Sequence, residues 1–388
     1  MGAEELLLAL VSAEICGQDI DGEMLKSLSP EELESLYKIA KIQDLAHIAG
    51  QALAKYGALG KNPASEKLKK RTMQAMYRYV RMHSEYEKIC HVLEQAQIPY
   101  IPLKGAVLRT YYPEPWLRTS CDIDILVKEE LLDHAIEILG ERFGYTSQPK
   151  SDHDVSLFSA NGVHLELHFD TIQERYETNN CRQVLSKIWE DATPKDEGSY
   201  QYCMSDEMFY FYHMAHMAKH FEVGGCGIRP FLDIWILQHR VEYDSQKRNE
   251  LLRQGGLLKF AQAAEKVSAA WFSGVQMDPM TGQVSDYILR GGLYGDNENR
   301  AALGQARMGS RVRYLITQRV FMPYEYLKDE YPVLKKHKWL CPLYQIVRWF
   351  RMLLGGRTGR TMQELRSNFT VSKKKTDAAS ELLKYLGL

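Results

Sequence analysis

Apolar positions recur at helical spacing along most of this chain and change to strict alternation in only a few places, all between residues 98 and 169. Residues 4–57 read as short helices. Ser29-Pro30-Glu31-Glu32 marks one helix start: serine caps, proline takes the first position, and acids fill the first turn. Residues 64–96 predict one long amphipathic helix, with Met73, Met76, Tyr77, Val80 and Met82 near helical spacing. A stripe of this kind is expected to lie in the core. Ile98–Leu103 reads as a first strand, and Pro99 and Pro102 put it at an edge or a strand end. A short helix over 105–111, a strand over 123–127 and a helix over 129–142, ending before Gly144, follow. Strands near 153–159 and 163–169 are joined by the hairpin turn Ala160-Asn161-Gly162. From about residue 180 onward the pattern is almost entirely helical. The predicted class is α+β, a small mixed sheet carrying helices and embedded in a mainly helical protein. The expected division is a helical region over 1–96, a sheet-bearing core over 97–178 and a second helical region over 179–388.

Bulk properties narrow the possibilities. The 388 residues are 45% hydrophobic, enough for a substantial core, and no run of eighteen apolar residues is free of charge. The start, Met1-Gly2-Ala3-Glu4-Glu5, is acidic where a secretory signal would be basic, and Leu6 stands where a myristoylation signal needs Ser or Thr. Seven cysteines without a C-x-x-C pair argue against a disulfide framework or a zinc site, so a cytoplasmic protein is expected. The net charge of −1 hides an asymmetry: residues 301–388 hold 17 Lys plus Arg against 6 Asp plus Glu. That region either docks a polyanion or packs on the acidic remainder. Trp349 and Phe350 between Arg348 and Arg351 favour a packed helix.

The candidate chemistry sits in Lys104-Gly105 and in Arg118-Thr119-Ser120-Cys121-Asp122-Ile123-Asp124-Ile125-Leu126-Val127. In a strand, alternate residues share a face, so Asp122 and Asp124 point the same way. Two carboxylates side by side repel unless a cation lies between them, and a hard, oxygen-preferring divalent cation fits that need. The Lys104-Gly105 turn lets backbone approach a phosphate. Paired carboxylates, a metal and a phosphate suggest phosphoryl or nucleotidyl transfer. Two metals would call for a third carboxylate. Val163–Phe169 supplies Glu166, on one strand face with His164, His168 and Asp170. Arg118 either holds a phosphate or pairs with one of the carboxylates.

Leu103-Lys104-Gly105-Ala106-Val107-Leu108, Tyr112-Pro113 with Arg118, the Asp122–Val127 strand and Leu165-Glu166-Leu167-His168 together resemble the bacterial uncharacterised nucleotidyltransferase family of the polymerase-beta-like superfamily. Gly227-Ile228-Arg229-Pro230-Phe231-Leu232-Asp233 and Tyr331-Pro332-Val333-Leu334 extend the likeness, to roughly residues 70–355. The chain has Lys104-Gly105 where many superfamily members have Gly-Ser or Gly-Gly. The resemblance implies a small mixed-sheet catalytic core and a magnesium-dependent transfer of NMP from an NTP, ATP being the first candidate, with loss of pyrophosphate. Asp122 and Asp124 would bridge two Mg2+ ions, for which Mn2+ could substitute, and Glu166 would complete the set. Lys104, Gly105 and Arg118 would attend the phosphates.

His168, His216 and Asp233 are candidate substrate contacts or supports of the ligating groups. His213, His216 and His220 fall on one helical face, which reads as cleft-lining or structural rather than as a zinc centre. Arg229 and Asp233, four apart, could pair along a helix. The acceptor is unidentified, whether small molecule, peptide or RNA, and neither a membrane nor an obligate protein partner is expected. Two other readings compete: a degenerate nucleotide- or RNA-binding module without catalysis, and a γ-phosphate transferase, for which no convincing H-x-D with a downstream Asn is present.

Overall fold

The helix start at residue 29 forms as its residues dictate. Ser29 Oγ accepts from the Glu32 amide, and the Glu32 carboxylate accepts from the Ser29 amide, closing a reciprocal cap ahead of the Pro30–Ile42 helix. In the computed structural model, which describes residues 1–171, 180–291, 297–354 and 368–388, four helices precede the 33-residue helix Pro63–Gln95. The molecule is mainly helical, with one small five-stranded mixed sheet, and is therefore α+β.

The strands are β1 (Tyr100–Pro102), β2 (Asp122–Val127), β3 (Thr146–Ser147), β4 (Asp154–Phe158) and β5 (His164–His168), in the order β1-β2-β5-β4-β3. β1 is an edge strand, where Pro102 removes no central ladder bond. β2 and β5 run parallel, and the Leu132–Phe143 helix lies in the crossover that parallel pairing requires. Gly144 ends that helix in the left-handed region at φ 67°, and Gly162 does the same for the β4–β5 turn at φ 72°. β3 and a second small hairpin, Thr193–Pro194 with Tyr202–Cys203, were not anticipated. Both strands of that hairpin, like β3, are two residues long, too short to show alternation.

The sheet separates two apolar bodies. Ile123, Ile125 and Val127 of β2 and Leu165 and Leu167 of β5 pack with the Met82–Leu93 part of the long helix and with Leu132, Ala135 and Leu139. On the other side, Leu126 joins a larger cluster that reaches from Leu7 and Leu10 through Leu108 and Leu117 to Phe211, Phe231 and Phe260. Alternation along β2 and β5 puts the acidic side chains on this second face.

Three of the five residues of the stripe expected in the core are on the surface. Met73, Tyr77 and Val80 are 66%, 69% and 64% exposed, while Leu68, Thr72, Ala75, Met82 and Ile89 are buried. The reason is geometric: a 33-residue helix outruns the elements packed on it, so periodicity identifies an apolar face without showing where a partner covers it. In the basic C-terminal region, Arg348 is buried against the Val320 carbonyl and Arg351 pairs with Glu330, in keeping with a packed helix. Residues 355–367 of that region lie outside the described residues. All seven cysteines are free, and among the described residues no helix is long and apolar enough to cross a membrane.

Candidate active site

The parallel register sets Asp122 beside His164 and Asp124 beside Glu166, with His168 beside Leu126. Ligand atoms of Asp122, His164 and Glu166 lie within 4.8 Å of one another, and so do those of Asp124, Glu166 and His168. Glu166 thus belongs to both groups. The sequence reading of a carboxylate on the strand next to the D-x-D strand corresponds to this arrangement. His164, not proposed as a ligand from the sequence, stands as close as the others. Its signal was the same two-residue alternation that pointed to Glu166 and His168.

Lys104 reaches in from the end of β1. Its Nζ donates to Asp124 Oδ1 at 2.7 Å, and the Leu103 amide donates to the Asp124 carbonyl at 3.0 Å. Lys104 has φ 42° and ψ −114°, a left-handed backbone for a residue that bears a Cβ, so the turn holds it there at a cost of about 1 kcal/mol or more. Gly105 follows, and a Cβ there would meet Ser120 Cβ at 3.2 Å. Arg109 closes this turn onto the segment before β2: its Nε donates to the Gly105 carbonyl and its guanidinium to Ser120 Oγ.

Electrostatics separate the two aspartates. Burial, and then the neighbouring Asp124 charge, push the Asp122 carboxyl up to about 6, against the pull of Lys104. Asp124 is 3% exposed, and burial alone would raise its carboxyl. The Lys104 ammonium and the His168 N–H overcome that and hold it well below the usual carboxylate range. Lys104 is held above its ordinary value in return, despite burial. Burial opposes protonation of His168, but its bonds to Asp124 (Nε2 to Oδ1, 3.0 Å) and Glu166 (3.4 Å) raise it. Its Nε2 therefore carries the proton and orients both carboxylates. Its Nδ1 is buried and finds no hydrogen-bond partner among the described residues.

The Asp206–Val223 helix brings further groups alongside. Tyr212 is buried and its hydroxyl is raised, by burial first and then by charges that include Asp124, Glu166 and Asp122. His216 is depressed, by burial first and then by Lys104 and His220, whose ring centroid is 4.5 Å away. His213 turns aside and its Nε2 bonds the Pro230 carbonyl. Tyr212 was missed by sequence reasoning, although it lies four residues before His216 on one helical face.

Arg118 lies apart from this centre. Its Nε and Nη2 donate to the two oxygens of Asp233 at 2.8 and 2.9 Å, its Nη1 to the Thr119 carbonyl, and Tyr112 Oη donates to Asp233 at 2.7 Å. The partner of Arg118 is therefore neither Asp122 nor Asp124. The expected Arg229–Asp233 helix pair does not form either, since Arg229 pairs with Asp44. A bidentate fork outcompetes a single i,i+4 contact. Arg118 and Asp233 brace the approach to β2 against the Arg229–Arg240 helix.

The donor set suits a hard divalent cation: three carboxylates converge on one face, two of them within one strand and the third across a parallel pair. Such a face, with a lysine and a glycine turn at its edge, offers ligands for a divalent cation and a cation for a phosphate group. The chain belongs to the uncharacterised nucleotidyltransferase family, whose family model matches residues 29–273, and it is accordingly a transferase. The match begins within the N-terminal helices, earlier than residue 70, and stops before the Tyr331–Leu334 segment that had read as familial. Comparison with curated proteins and with solved structures found no match.

Proposed function

We propose that the protein moves an NMP group from an NTP, ATP being the first candidate, to an acceptor nucleophile, releasing pyrophosphate. The observation that carries this reading is the convergence of Asp122, Asp124 and Glu166 on adjacent parallel strands, together with membership of the family. Asp122, Asp124 and Glu166 would hold magnesium or manganese, with His164 at the rim and His168 orienting Asp124 and Glu166. A divalent cation there supplies charge neutralisation at the α-phosphate and eases ionisation of the acceptor.

The chain's own residues account for the rest. Glu166 accepts the proton of the acceptor hydroxyl as its oxygen bonds to the α-phosphorus and the bond to the β-phosphate oxygen breaks. Lys104, fixed beside Asp124, offers its ammonium to the departing pyrophosphate. Gly105 lets phosphate oxygens approach the backbone of the turn. Arg118 acts at a distance, by holding the 118–121 segment in place through Asp233. Tyr212 and His216 flank the substrate side of the centre.

The test is pyrophosphate release from NTP, with transfer of the NMP group to an acceptor, in magnesium or manganese, run for the four NTPs with cell extract as acceptor source and product masses recorded. A mass gain of one NMP, absent from Asp124→Asn, supports the reading. A gain of one phosphate, or equal turnover by Asp124→Asn, would overturn it.

A further inference from the structure

Residues 67–83 of the long helix hold six Lys or Arg and no Asp or Glu. Lys67 pairs with Glu34 and Lys69 with Glu66. Among the described residues, Lys70, Arg71, Arg78 and Arg81 form no ion pair. The same turns carry the exposed Met73, Tyr77 and Val80. Arg71 and Arg78 also line a cavity of about 150 Å³ with Lys41, Gln74, His47 and Thr119. The acid at its wall, Asp44, is neutralised by Arg229. His47 is uncharged near neutral pH, since burial lowers it to about 4, and its Nε2 bonds the Leu117 carbonyl.

The cavity borders the segment that enters β2. Thr119, in the cavity wall, stands three residues before Asp122. The Arg109 guanidinium lies 5.8 Å from the ring centroid of Tyr79 and bonds Ser120 on its other side.

We propose that this helix face is an acceptor-docking surface and that the acceptor is a single-stranded nucleic acid, with one phosphate in the Lys41–Arg71–Arg78 cavity and a base stacked on Tyr77. Uncompensated cations alternating with an exposed ring match a backbone of phosphates and the π-faces of bases, whichever bases they are. An acidic peptide would use the cations and leave Tyr77 idle. Only the word acceptor rests on the nucleotidyl-transfer reading, because the binding itself needs neither NTP nor metal.

The experiment is fluorescence anisotropy of a short labelled oligoadenylate with the full chain, in EDTA and without NTP. With about three phosphates neutralised, raising salt from roughly 50 to 200 mM weakens binding about twentyfold. Tyr77→Ala weakens it roughly tenfold with the salt slope unchanged. Arg71→Glu with Arg78→Glu weakens it further and flattens the slope. Circular dichroism checks the fold. Where the double reversal lowers the folded fraction, Lys41→Gln with Tyr77→Ala carries the test, both positions being exposed.

Absent or salt-insensitive binding, full affinity in the Arg71/Arg78 variant, or no effect of Tyr77→Ala overturns the inference. Equal affinity for an oligoglutamate peptide overturns it in favour of an acidic peptide. Failure here with metal-dependent NTP turnover intact removes only the acceptor class. Oligoadenylate binding in a protein that never turns over NTP removes the transfer reading instead.

Discussion

Lys104 Nζ sits 2.7 Å from Asp124 Oδ1; Lys104 lies just past the end of β1 and Asp124 within the neighbouring β2, twenty positions apart in the chain. Asp124 is almost wholly buried, so this ammonium is the main charge that keeps it ionised. Removing it strands a buried carboxylate, at a cost of about 3 kcal/mol. Lys104→Met is therefore expected to lower stability in urea, and magnesium or manganese is expected to stabilise the variant more than wild type, because the ion takes over beside Asp124. Equal metal stabilisation of both proteins would count against a shared site. Under the proposed function, in which the ammonium meets the departing phosphates, the variant should also lose more affinity for ATP than for AMP by calorimetry.

The two aspartates should respond differently to amide substitution. Asp122 is disfavoured as an anion in the metal-free fold, so Asp122→Asn is expected to raise stability at pH 7, by about 3 kcal/mol at most. Asp124 is favoured as an anion, so Asp124→Asn leaves Lys104 and His168 without their acceptor and lowers stability. Both variants should lose turnover. Thermal melts with and without metal, beside activity, separate the two effects, and identical shifts would refute the distinction.

Activity should follow Asp122 on its acid side. Its folded-state pKa of about 6 exceeds the ordinary carboxylate value, so it is neutral below that pH and charged above it. Under the proposed function the charged form is the one that would ligate the cation. The acid limb of kcat/KM is expected near pH 6, falling as pH falls, and more metal should move it lower because ion and proton compete for one carboxylate. The stability linkage has the opposite sign: a raised carboxyl pKa favours the fold at low pH, and that contribution is lost as pH rises from about 4 to about 6. A limb that ignores metal concentration would assign it to another group.

Arg118 and Asp233 form a buried bidentate pair between the segment before β2 and the Arg229–Arg240 helix. Asp233→Ala is expected to cost about 3–5 kcal/mol in urea unfolding. Arg118→Lys should recover little, because one ammonium cannot reproduce the fork. Recovery to wild-type stability by lysine would show that charge alone suffices.

Much of the sheet could be read directly from the chain. Period-two alternation in Asp122–Val127 and His164–His168 puts the carboxylates and imidazoles on one face, whatever surrounds the strands. The cap at Ser29, the crossover helix ending at Gly144 and the turn at Gly162 are likewise local, each needing only neighbours within a few residues.

What the chain could not reveal depends on contacts far apart in sequence. Nothing local tells Arg118 that Asp233, 115 residues on, will outcompete the nearby aspartates, or directs Arg229 to Asp44. Nor does periodicity say which turns of a 33-residue helix remain uncovered, so Met73, Tyr77 and Val80 look like core until the neighbours are in place. The strand pattern determined which side chains share a face, because that follows from backbone geometry alone. Tertiary packing decided which of them are charged, paired or exposed, because burial and opposite charge act through space and not along the chain.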